Sequence, residues 1–119
     1  MVAEKHVLYA EDEFTNRRLL EIKLKNHGIN CDLAQDGQKA MELFKSRQYD
    51  LVILDQYMPR MNGDQVARLI RETHPDLPLI AITSDDGEIQ RLSEAGFNEV
   101  FIKPLRGQHY IDSIKNYLT

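Results

Sequence analysis

LVILD, residues 51–55, is four apolar residues closed by an acid, and its reading decides the fold. A short run that is apolar throughout reads as a strand buried on both faces. Outward from it the same design recurs: VLYA (7–10) runs into Glu11 and Asp12, LIAI (79–82) into Thr83, and VFI (100–102) into Lys103. Parallel strands that end this way deliver their terminal side chains to one rim of one sheet, where open α/β folds place their ligand sites.

Amphipathic stretches alternate with these runs over the whole length, giving five βα units without repeats, low complexity or a linker. The periodicity predicts strands near 6–10, 29–34, 51–54, 78–82 and 99–102. It predicts helices near 14–27, 37–47, 63–73, 86–95 and 107–118. Leu20 and Leu24 mark the buried face of the first helix, which stops at Gly28; Ala40, Met41 and Phe44 mark that of the second. Val66, Ala67 and Ile70 mark the third, which ends before Pro75, and Ile111, Ile114 and Leu118 mark the fifth. The fourth is short and polar and ends at Gly96. In the second strand Ile29, Cys31 and Leu33 alternate with Asn30, Asp32 and Ala34, the pattern of an edge strand with one face outward. Central runs one, three and four with right-handed crossovers give the sheet order 2-1-3-4-5. The binding crevice then falls between strands one and three, at Asp12 and Asp55.

The 119 residues fit one compact domain, residues 1–119. A composition of 29% charged and 42% hydrophobic residues is that of a globular protein with a real core. A net charge of −4 argues against direct nucleic-acid binding, which needs a basic face. No stretch resembles a signal peptide or a membrane span, and the single Cys31 makes no internal disulfide, so the expected location is the cytoplasm, without membrane insertion. Cys31 reads as a small core residue.

Glu11, Asp12 and Asp55 crowd up to three negative charges together, which costs free energy unless protons or a cation compensate. Oxygen-only donors suit Mg²⁺. An acid that merely follows a strand often caps the next helix, and Glu13 takes that reading. Asn16, Arg17 and Arg18 start the first helix beside the site, either as a partner contact or as a solvated face. His6, His27, His74 and His109 are scattered, and none looks catalytic; Gly63 and Gly37 read as turn residues starting the third and second helices.

Taken together, Glu11-Asp12, LVILDQYMPRMNG from 51 to 63, Thr83-Ser84 and Phe101-Ile102-Lys103-Pro104 resemble the receiver domain of two-component response regulators along the entire chain. The resemblance implies a flavodoxin-like (βα)5 fold and a signalling switch that is not an enzyme in the ordinary sense. It implies that Asp55 accepts phosphate from a histidine of a sensor kinase or a histidine phosphotransfer protein. Glu11 (through water), Asp12, Asp55 and the backbone carbonyl of Tyr57 would hold Mg²⁺. Thr83 and Lys103 would meet phosphoryl oxygens, a cis Lys103-Pro104 bond would aim the ammonium inward, and the surface of helix four, strand five and helix five would change for a downstream protein. The position three before Lys103, often a switching aromatic, is Val100; Phe101 lies on the opposite face by strand alternation. Tyr57 and Asp85, each two residues past Asp55 and Thr83, would flank the acyl phosphate.

Three other readings fit less well. A flavin-binding domain of the same fold needs a Ser/Thr/Gly-rich loop after strand one, where this chain has AEDEF, residues 10–14. A phosphatase with an aspartyl nucleophile on strand one needs Asp-x-Asp, and Asp12 is followed by Glu13 and Phe14. An unphosphorylated scaffold has no use for the complete set of acids, threonine and lysine.

Overall fold

The computed structural model describes residues 4–119. Five parallel strands, β1 (His6–Ala10), β2 (Asn30–Ala34), β3 (Leu51–Asp55), β4 (Leu79–Thr83) and β5 (Glu99–Ile102), form one sheet in the order β2-β1-β3-β4-β5. Helices α1 (Phe14–Asn26), α2 (Gly37–Ser46), α3 (Gly63–Thr73), α4 (Ile89–Glu94) and α5 (His109–Tyr117) alternate with them. This is the doubly wound order expected from the runs and the flavodoxin-like fold that the resemblance implied.

Strand alternation divides the core in two. Leu8, Ala10, Val52, Leu54, Leu79 and Ala81 face Ala40 of α2, Val66, Ala67 and Ile70 of α3, and Leu92 of α4. Val7, Tyr9, Leu51, Ile53, Ile80 and Ile82 face Leu20 and Leu24 of α1 and Tyr110, Ile111 and Ile114 of α5. Val100 joins the first cluster and Phe101 the second, where its ring meets Tyr110 edge-on.

The helices are held very unequally. α3 buries Val66, Ala67 and Ile70, whereas the only buried side chain of α4 is Leu92. One leucine contributes roughly 2 kcal/mol. α4 is therefore held by less apolar burial than α3, and polar contacts weigh correspondingly more in its position.

Several expected boundaries shift for local reasons. α1 ends at Asn26 because Gly28, at φ 75°, closes a left-handed cap: its N–H donates to the Lys25 carbonyl and that of Ile29 to the Leu24 carbonyl. The fourth helix is split, since Asp85 accepts from the Gly87 N–H and winds Asp86–Glu88 into a 3-10 turn before α4 begins. α5 starts at His109 and not at 107, where Gly107 has φ 76°. β2 is the edge, but Ala34 is buried in the α2/α3 cluster, so its second face is covered at one end. Asp32 on that face accepts from the Tyr49 hydroxyl at 2.8 Å and pairs with Arg47. Among the described residues no helix is long and apolar enough to cross a membrane.

Candidate metal and phosphoryl site

The ladder registers align the strand ends. Ala10 pairs with Leu54, Asp55 with Ile82, and Thr83 with Ile102, so Glu11, Asp55, Thr83 and Lys103 emerge within one residue of the same rim. Period-two alternation sorts them further: Glu11, Asp55 and Lys103 continue the α1/α5 face, while Thr83 continues the face that carries α4. The reacting group and its charges thus share one side of the sheet. Thr83 stands where it can report to the other.

Carboxylate oxygens of Glu11, Asp12 and Asp55 lie within 4.8 Å of one another. Glu11 and Asp55 are buried and Asp12 is exposed. Lys103 Nζ lies 3.0 Å from Glu11 Oε1 and 3.1 Å from Asp55 Oδ2, and the Lys103–Pro104 bond is cis, as the resemblance implied. The Tyr9 hydroxyl and the Glu13 N–H donate to the two oxygens of Glu11. Among the described residues one ammonium stands against three carboxylates and is in contact with two of them.

The imbalance is visible in the acidities. Burial raises the Asp55 carboxyl, Glu11 raises it further, and Lys103 only partly opposes them, so its pKa is pushed up to about 7. Burial and Glu11 likewise raise Asp12. Burial works against the charged form of Lys103, but the two carboxylates outweigh it and hold its pKa up. Acids that resist ionisation together, with oxygen donors only and one edge open to water, fit a hard divalent cation such as Mg²⁺.

An unfolded aspartate releases its proton near pH 4, whereas native Asp55 keeps its proton up to about 7. The native state binds more protons between those values, so the stability of the metal-free protein falls as pH rises from about 4 to about 7. Asp55→Asn is expected to flatten that slope and to stabilise the metal-free protein by about 2 kcal/mol at pH 8. Urea unfolding in chelator across this range measures it; an unchanged slope would remove the charge-crowding argument.

The loop after β3 is fixed by a close backbone approach. A Cβ on Gly63 would sit 2.6 Å from the Asp55 carbonyl oxygen, and one on Gly37 2.1 Å from that of Met61. Both glycines are therefore spacers for packed chain segments, a reason beyond the turn role read from sequence. Gly63→Ala is expected to cost about 2–3 kcal/mol, read as a lower urea midpoint.

Thr83 is fully buried, and its Oγ1 accepts from the Asp85 N–H at 3.2 Å. Tyr57 is half exposed; its hydroxyl donates to Glu88, which raises the phenol pKa. Asp85 is engaged in the 3-10 cap. Glu13 caps α1 by accepting from the Thr15 and Asn16 N–H groups, as read. Arg17 donates to the Glu11 and Asp12 carbonyls and Arg18 pairs with Glu21, so both are engaged within the chain.

Sequence reasoning missed a polar chain behind the acceptor. Gln56, buried beside Asp55, donates to Asp64 Oδ1 and accepts from the Asp64 N–H, both at 3.0 Å. Asp64 Oδ2 accepts from Arg91 at 2.9 Å, Arg91 also pairs with Glu88, and Glu88 accepts from Tyr57. Only the spacing of Asn62 and Gln65, where the Gln65 amide oxygen accepts from the Asn62 N–H, is a cap signal readable in advance.

Comparison with known proteins agrees with the geometry. The family model "Response regulator receiver domain" matches residues 7–115. The response regulator MprA of Mycolicibacterium vanbaalenii is 36% identical over 100 residues, covering 82% of this chain and 43% of that protein. The autoinducer 2 sensor kinase/phosphatase LuxQ of Vibrio vulnificus is 33% identical over 114 residues, 93% of this chain and 13% of that protein. The chain thus spans less than half of either relative. The crystal structure of the response regulator TrrA from Thermotoga maritima, in complex with Mg²⁺ and BeF, superimposes with a TM-score of 0.88 at 33% identity, covering 95% of this chain and 98% of that one.

Proposed function

This chain belongs to the response regulator receiver domain family, and from that premise we propose that it is a switch whose Asp55 is phosphorylated by a phosphohistidine donor. The observation that carries the reading is the placement of Asp55 within 3.1 Å of Lys103 and within 4.8 Å of the carboxylates of Glu11 and Asp12. A receiver is a phospho-accepting regulatory module and not an enzyme in the ordinary sense. Its acidic cluster is of the kind that serves Mg²⁺-dependent aspartyl phosphorylation in phosphorelays.

In the proposed reaction an Asp55 carboxylate oxygen bonds to phosphorus as the P–N bond to the donor imidazole breaks, the bonding pair leaving with the nitrogen. Asp55 needs no base, because loss of its carboxyl proton is favoured once the site's charge is balanced. Glu11 (through water), Asp12, Asp55 and the Tyr57 backbone carbonyl would hold Mg²⁺, which would supply positive charge against the acceptor and phosphoryl oxygens. Lys103 meets an equatorial oxygen as negative charge shifts in the transition state. Thr83 donates its hydroxyl to another phosphoryl oxygen after transfer, which draws its loop and α4 toward the site.

The donor we propose is a histidine kinase or a histidine phosphotransfer protein, in keeping with the sensor kinase LuxQ among the relatives. The expected setting is cytoplasmic, the output is a protein bound at the α4/β5/α5 surface, and residues 1–119 act as one receiver domain. Incubation with acetyl phosphate and Mg²⁺ is expected to add one phosphoryl mass that chelator prevents. Equal labelling in chelator would contradict the reading.

A further inference from the structure

We propose that Arg91 is the centre of a polar latch that holds the Asp85–Arg91 segment in its resting position against the Asp55 loop, so that breaking the latch favours the phosphorylated conformation. The inference rests on the reading of Asp55 as phosphoryl acceptor and adds a regulatory element to it. On one side the latch is anchored rigidly: Asp64 is buried and clamped to Gln56, whose N–H and carbonyl are tied to Ile82 and Gly63. On the other side Arg91 and Tyr57 both hold Glu88, on the turn that joins Thr83 to α4.

Turning Thr83 toward a phosphoryl group takes its Oγ1 away from the Asp85 N–H, the bond that pins the start of this turn. What then keeps the segment back is Arg91 with its two carboxylates and Tyr57 with Glu88. Apolar packing offers little resistance, since α4 buries Leu92 alone. Val100, partly buried against the apolar core, supplies no aromatic rotamer to couple the two ends of the site. The polar chain is the connection between acceptor loop and α4 that the side chains do provide. Arg91 touches no reacting atom; it is a positioning residue acting through Asp64 and Glu88.

The test measures beryllofluoride binding in the presence of Mg²⁺, together with amide exchange over residues 85–94, in the wild type, Arg91→Gln and Arg91→Lys. Arg91 is half exposed, so the substitutions leave the core intact. Arg91→Gln is expected to bind beryllofluoride about fivefold more tightly and to exchange faster over this segment before the ligand is added, with Arg91→Lys between it and wild type. A merely structural role would lower thermal stability without tightening binding. Affinity of Arg91→Gln within twofold of wild type, or weaker, overturns the latch while leaving the acceptor reading intact. Failure of the wild type itself to bind beryllofluoride overturns both.

Discussion

Asp55→Asn is expected to abolish phosphorylation, with labelling by acetyl phosphate and Mg²⁺ falling by at least about a thousandfold. The amide is close to isosteric and leaves the folded site in place, but its oxygen carries no negative charge and does not attack phosphorus. The same substitution is expected to raise stability at pH 8 in chelator, because it removes a buried charge that burial and Glu11 penalise. The two effects have opposite signs at one residue, so loss of labelling cannot be put down to unfolding. Loss of labelling together with loss of stability would contradict the account.

Lys103→Met has the second largest expected effect. Among the described residues Lys103 is the one ammonium in contact with Glu11 and Asp55, and its side chain is three-quarters buried at 26% exposure. Removing one preorganised donor to developing charge typically costs about a hundredfold to a thousandfold in rate. Phosphorylation by acetyl phosphate is therefore expected to slow by about a hundredfold or more, measured as initial rate of adduct formation at saturating Mg²⁺. The variant also deprives buried Glu11 of its cation, which lowers metal-free stability. A rate within threefold of wild type would place Lys103 outside the reaction.

The rim was readable because it depends on a local pattern. Each of Glu11, Asp55, Thr83 and Lys103 follows an uninterrupted apolar run, and parallel pairing converts that position into convergence in space. The opposite faces of Val100 and Phe101 followed from alternation alone. The 3-10 turn at Asp86–Glu88 was not readable, since it depends on which backbone N–H the Asp85 carboxylate happens to accept from. Nor were the contacts behind Gly63 and Gly37, where a missing Cβ matters only once two distant backbone segments are brought together. The Gln56, Asp64, Arg91, Glu88 and Tyr57 chain was hidden for the same reason. Apart from Tyr57, which the sequence had already placed beside Asp55, its members look like ordinary loop and helix-surface residues until the contacts between α3 and the α4 segment are seen.

Val100 changes what the site can communicate. With that position occupied by a partly buried β-branched residue packed against the core, the proposed link from Thr83 to the α4/β5/α5 surface would run through polar contacts of modest strength. Such a link is easily shifted by substitution and sensitive to the charge of Arg91.

Borohydride trapping of the phosphorylated protein is the most direct measurement of the central claim. Reduction of an aspartyl phosphate converts that residue to homoserine, and peptide sequencing by mass spectrometry locates it. The account predicts homoserine at position 55 alone, dependent on both Mg²⁺ and the phosphodonor. Homoserine at another acid, or an adduct that survives borohydride unreduced, would contradict it.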